Sequence, residues 1–156
     1  AEHMPQFTEV TFDTKEDEML KLYGEPKETY PSLYNGTVYV FPDCEYMGHN
    51  GFVKYMTDDM GNVACISWLY ESDETADIEK TFADIHEGLS DRLGDSGNRS
   101  EAQGNFGDAW YFDDVHIMAD AVITSDYKGM QLSYLKAEYS KKDIVDKKRQ
   151  EREQED

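Results

Sequence analysis

The sequence predicts an α+β protein: two α-β-β-β units forming one antiparallel sheet, with both helices on one face and a charged helix at the C-terminus. Three observations predict it. Ile78, Phe82, Ile85, Leu89 and Leu93 recur at helical spacing and form the apolar stripe of an amphipathic helix. Runs of alternating apolar and polar residues follow each of two helical segments and are separated by short turn-forming stretches, as hairpin-linked strands are. Finally, 156 residues with 38% hydrophobic content suffice for one buried core of this kind.

Each element has a local cause. Ala1 to Met4 read as a cloning scar, because His3-Met4 is what a common cloning site encodes; residues 5–139 are then one domain, in halves of about 5–72 and 73–139. Thr14 and Asp17 have the spacing of a capping box, Met19, Leu20 and Tyr23 supply an apolar face, and Gly24 and Pro26 end the first helix. Strands are expected at 37–41, 51–57 and 63–70, the last two joined by a turn over Asp58, Asp59, Met60, Gly61 and Asn62. Asp73, Glu74 and Asp77 crowd the start of the second helix, where its dipole favours acids, and Gly94 stops it. Strands over 108–112, 115–124 and 130–136 follow, with turns at 113–114 and 126–129. In the middle one Val115, Ile117, Ala119, Ala121 and Ile123 share a core face, while His116, Met118, Asp120, Val122 and Thr124 make a mixed one. Residues 140–156 read as a charged helical tail opened by Ser140 and Asp143, either solvated or docking a partner.

The segment Thr14-Lys-Glu-Asp-Glu-Met-Leu-Lys-Leu-Tyr-Gly24-Glu-Pro26 carries a family likeness. With the element order, it resembles the opening of the bacterial β-lactamase-inhibitor-protein-like fold, shared with outer-membrane lipoproteins of the SmpA/OmlA type. That resemblance implies repeated helix-plus-strand units that present a sheet to protein partners. Leu22-Tyr23-Gly24-Glu25-Pro26 and Arg92-Leu93-Gly94-Asp95-Ser96 echo each other at the ends of the two helices.

Charge and motifs exclude several functions. The chain has 15 Lys+Arg against 34 Asp+Glu, a net charge of −19 that disfavours nucleic acid as a ligand. The tail is electrically balanced, so the whole excess sits on residues 1–140. Apolar runs fall short of the ~20 residues of a membrane-spanning helix, so no membrane span is expected, and a removed lipid anchor is compatible with that. Gly94-Asp95-Ser96-Gly97 imitates a protease nucleophile segment but reads as a helix stop. His86-Glu87 begins like a zincin helix, yet Ser90 stands where the second ligand belongs, so His86 reads as a surface histidine beside Asp84. His49, His86 and His116 are isolated in sequence, and no catalytic residue, metal ligand or cofactor is assigned.

Cys44 and Cys65 are a disulfide candidate, with a buried free thiol as the alternative. The aromatics carry the remaining signal. Of 11 Tyr, Tyr30, Tyr34, Tyr46 and Tyr127 fall in expected loops beside Gly, Pro, Asn or Asp, where they either bind a partner or pack locally over the sheet ends. Tyr46 and Tyr127 are the leading candidates, because neither is forced inward by strand alternation. The expectation is a non-enzymatic protein-binding module of an exported or cell-envelope bacterial protein, whose partner is a protein, a basic one being favoured by the acidic charge. Two alternatives stand: a cytoplasmic acidic inhibitor or immunity-type protein covering a basic site, and an enzyme whose carboxylate site forms only on folding.

Overall fold

A computed structural model of the chain describes residues 3–96, 98–102, 105–140 and 150–154, with backbone alone at 98–102. The elements run α1 (Glu16–Tyr23), β1 (Glu28–Pro31), β2 (Asn35–Tyr46), β3 (His49–Asp58), β4 (Val63–Glu71), α2 (Thr75–Leu93), β5 (Asn98–Ala102), β6 (Asn105–Tyr111), β7 (Val115–Ile123) and β8 (Lys128–Lys136), followed by a 3-10 turn, Ala137–Tyr139. The eight strands form a single antiparallel sheet in the order β1-β2-β3-β4-β8-β7-β6-β5. Each helix therefore precedes a four-strand meander, and the meanders meet at β4 and β8.

Three expectations change. The units hold four strands rather than three, because β1 and β5 escape a search for alternation. The first is four residues long, exposed throughout and ends in Pro31; the second reads Asn-Arg-Ser-Glu-Ala, with nothing apolar before its last residue. The second change concerns β2, which does not stop at Phe41. It continues through Pro42 to Tyr46 by way of a bulge between Phe41 and Cys44, where Asp43 takes a left-handed φ of 58°. The third concerns α1: it begins at Glu16 without a side-chain cap, and Thr14 instead turns its Oγ1 to accept the Thr11 N–H at 2.9 Å. Of the expected C-terminal tail, residues 141–149 and 155–156 lie outside the described residues; residues 150–154 are helical, and Arg152 pairs with Asp59.

Both helices pack on the same face of the sheet. Tyr23 of α1 stacks on Tyr55 and tilts against Phe41, while Met19 is fully buried. From α2, Ile78, Phe82, Ile85 and Leu89 are buried as their spacing requires. The core beneath them contains Tyr39, Phe41, Val53, Tyr55, Ile66, Trp68, Trp110, Val115, Ile117, Ala119, Ala121, Met130, Leu132 and Tyr134. Gly94 caps α2 at φ 89°, a conformation only glycine takes without strain, and its carbonyl accepts the Trp110 Nε1–H at 2.8 Å.

Candidate functional site

The surface of the sheet face opposite α1 and α2 is set by register. Tyr30, Val38, Met56, Cys65, Leu135, His116 and Tyr111 are successive cross-strand partners from β1 to β6. The row crosses seven strands, roughly 29 Å at the usual strand spacing. A parallel row runs Glu28, Val40, Lys54, Ser67, Ser133, Met118 and Ala109. The centre of this face is closed: Val38, Val40, Cys65, Ser67, Leu69, Ser133 and Leu135 are all buried. Its margins are open and aromatic. Tyr30 is 36% exposed at one end of the long row and Tyr111 55% at the other, with Tyr127 at 43% along the edge between them.

Local contacts fix these rings. Lys54 Nζ lies 5.4 Å from the centre of the Tyr30 ring, and His116 meets Tyr111 edge to face at 4.8 Å. Tyr127 depends on a glycine. The turn is tied by Thr124, whose N–H and Oγ1 both reach the Tyr127 carbonyl, and the ring then lies over Gly129. A Cβ added at Gly129 would stand 2.4 Å from the Tyr127 hydroxyl. Burial and the neighbouring Glu71 carboxylate push the Tyr127 phenol up to about 12.

The four tyrosines expected to bind are thus divided. Tyr30 and Tyr127 reach the open margin. Tyr34 is half-buried, meeting Tyr139 edge to face at 5.5 Å, and burial followed by the adjacent Cys65 thiol pushes its phenol upward. Tyr46 is a correction. It is 9% exposed and packs edge to face against Phe7 and Trp68, because the bulge carries β2 onward and aims residue 46 at the core. Sequence reading missed Tyr111, Lys54 and Phe52 on this face; their strand parity, which places them opposite the core residues, was the available signal.

The disulfide is also corrected: Cys44 and Cys65 are free thiols. Cys44 lies opposite Gly51 on one side of β3 and Cys65 opposite Met56 on the other. That is roughly 10 Å across the sheet and about 16 Å along it, beyond the ~7 Å Cα limit of a disulfide. Cys44 Sγ donates to the Phe7 carbonyl at 3.5 Å, and burial pushes the Cys65 thiol up to about 11.

On the helical side, α2 organises two histidines. His49 Nε2 meets Asp84 Oδ2 at 3.0 Å and its Nδ1 meets Thr81 Oγ1 at 3.2 Å, while Lys80 reaches the same Asp84 oxygen at 3.1 Å. Hydrogen bonds from His49 and then Lys80 hold the Asp84 carboxyl below its ordinary value. Asp84 therefore belongs to His49, not to His86 as the sequence suggested. His86 turns the other way, its Nδ1 2.5 Å from Oδ2 of the buried Asp108 on β6. Ser96 Oγ donates to the other Asp108 oxygen at 3.3 Å. This pair lies in the wall of a cleft of about 640 Å³ between α2 and β6, lined also by Glu79, Phe82, Ala83, Glu87, Ser90, Asp91, Asp95 and Phe106. Among the described residues, no group of three or more His, Cys, Asp or Glu side chains could hold a metal ion.

The class defined by this architecture is an α+β protein with two helices covering one face of a wide antiparallel sheet. Among solved structures it is similar to a DUF4309 family protein, YjgB, from Bacillus subtilis subsp. subtilis str. 168, with a TM-score of 0.55 and 10% identity over 85% of this chain and 86% of that one. At that identity the likeness concerns the fold alone. No family model and no curated protein matches the chain.

Proposed function

We propose that this chain is a non-enzymatic binding module that engages a basic protein partner through the face of its sheet opposite α1 and α2. The observation that supports the reading is the arrangement of that face: a closed centre of buried Val, Leu, Ser and Cys side chains with exposed Tyr30, Tyr111 and Tyr127 at its margins. Tyrosine supplies large, rigid contact area at low entropy cost, and a ring already held by Lys54, His116 or Gly129 loses little freedom on binding. The net charge of −19 steers a basic partner, and the rings hold it. A helix-then-meander unit written twice is the arrangement that the resemblance to β-lactamase-inhibitor-protein-like and SmpA/OmlA-type proteins implies, and we extend the proposal to that fold group. Without a disulfide, export rests on that resemblance, and the cytoplasmic acidic inhibitor gains as the second reading.

Site-specific photo-crosslinking tests the proposal. A crosslinking side chain at position 111 should capture the partner, while one replacing the exposed Glu18 on α1 should not. Capture from α1 and not from position 111 would move the interface to the acidic helical side and favour the inhibitor reading.

A further inference from the structure

The sheet has two edges, and they are built differently. β1 is four residues long and ends in Pro31, which has no N–H to offer a further strand; brevity and proline are the usual guards on an edge. β5 carries neither guard. It reads Asn-Arg-Ser-Glu-Ala, and all five residues pair with β6 in one unbroken register, from Asn98 opposite Ala109 to Ala102 opposite Asn105. Among the described residues β6 flanks it on one side and no strand flanks it on the other.

Register shows which backbone groups that edge presents. Phe112 N–H donates to the Val115 carbonyl at 3.0 Å and closes the β6–β7 hairpin, so the even-numbered residues of β6 turn their backbone groups towards β7. Odd-numbered residues of β6 therefore serve β5, where their partners are 98, 100 and 102. The backbone N–H and C=O groups of Arg99 and Glu101 point the other way, outward from the edge in the plane of the sheet. An antiparallel strand added there must use those two residues in its narrow hydrogen-bonded pairs. If that strand is another β5, three registers meet the condition: 99 opposite 99, 101 opposite 101, or 99 opposite 101. The first two set like charges against each other. The third sets an Arg position against a Glu position twice, about a two-fold axis at Ser100.

We propose that two copies of this chain join through β5 about that axis, making one continuous sheet. Two narrow pairs, each exchanging two N–H···O bonds, hold the seam, and the opposed charges at positions 99 and 101 select its register. The helices do not obstruct it. A two-fold axis normal to the sheet keeps both sets of helices on the same side, and α2 packs over β7 and β8. The β7 strands of the two copies then stand five strand spacings apart, roughly 24 Å, against a helix diameter of about 10–12 Å. A seam of five residues per copy is small, and a charge of −19 on each copy opposes it, so the dimer is weak and responds to concentration and salt. The inference does not rest on the partner-face reading, because the edge belongs to neither face.

Sedimentation equilibrium of the full chain at about 0.15 M NaCl, where long-range repulsion is screened, tests the proposal. The weight-average mass of wild type should climb from monomer towards dimer as concentration rises to about 1 mM. Arg99→Glu and Glu101→Arg should each weaken self-association about tenfold or more, since each sets two like-charged pairs across the seam. An equimolar mixture of the two single variants should associate, because every opposition across the mixed seam is again Arg against Glu. The double variant Arg99→Glu/Glu101→Arg should recover wild-type association at unchanged net charge. Amide exchange gives a second readout that needs no variant: protection at residues 99 and 101 should increase with wild-type concentration, and that at Tyr30 on β1 should not. Wild type that stays monomeric to about 1 mM would overturn the proposal. So would a dimer that both single variants retain, a double variant as weak as the singles, or concentration-dependent protection at β1 in place of β5.

Discussion

Tyr46 shows how a single residue's role turns on the backbone before it. By sequence it sits beyond Pro42 and Asp43 and beside Gly48, the composition of a loop; the bulge at Phe41 and Cys44 keeps it in β2 and sends its ring inward. Nothing local distinguishes a bulge from a strand end, so the error was one of continuity, not of residue chemistry. Tyr46→Ala should therefore cost about 3–5 kcal/mol by denaturant unfolding, while Tyr30→Ala and Tyr127→Ala should each stay within about 0.5–1 kcal/mol. A neutral Tyr46→Ala would return that ring to the surface. Asp58 offers a pH test at the same scale. Burial pushes its carboxyl up, but the Tyr139 hydroxyl at 2.6 Å and the Asn62 and Met60 amides outweigh burial and hold it below 3.8. A depressed carboxyl stabilises the fold above its unfolded pKa, and that stability is lost as pH falls through the folded value. Tyr139→Phe should thus cost about 1–2 kcal/mol at neutral pH, with the gap to wild type closing as pH drops below about 3.8. A gap that stays constant in acid would mean that the hydroxyl does not act through Asp58.

Among the elements, those with strong periodicity were legible and those without were not. The α2 stripe, the Asp58–Asn62 hairpin and the alternating core face of β7 stand where their patterns put them, whereas β4 and β8 are buried on both faces. Two edge strands, β1 and β5, went unseen because an edge strand with polar or proline-containing sequence has no alternation to detect. The His86–Asp108 pair was hidden for a different reason, since it joins a helix to a strand across the core boundary, and no spacing rule encodes such a contact. Phe82 is the test of α2 as a core element. It is 6% exposed and backed by Phe106, so Phe82→Ala should destabilise by about 3–5 kcal/mol, and a loss below about 1 kcal/mol would mean that the helix is not part of the core. Gly129→Ala tests the β7–β8 turn. Its added methyl occupies the space of the Tyr127 hydroxyl, so tyrosine fluorescence should report a displaced ring at position 127 while β7–β8 amide protection is retained.

At the scale of the whole molecule, charge and layering combine. The acids of α2 and the cleft lie on the helical side of the sheet, whereas Tyr30, Tyr111 and Tyr127 lie on the other. A net charge of −19 makes self-repulsion a global cost, so the melting temperature should rise between low and moderate NaCl; a flat response would show the charges to be dispersed well enough not to matter. The most direct measurement of the central claim is the dissociation constant of the captured partner for wild type and for Tyr30→Ala/Tyr111→Ala/Tyr127→Ala, at about 0.15 M NaCl. The sheet-face reading predicts a loss of about a hundredfold or more with an unchanged melting temperature. Unchanged affinity in the folded triple variant would contradict it.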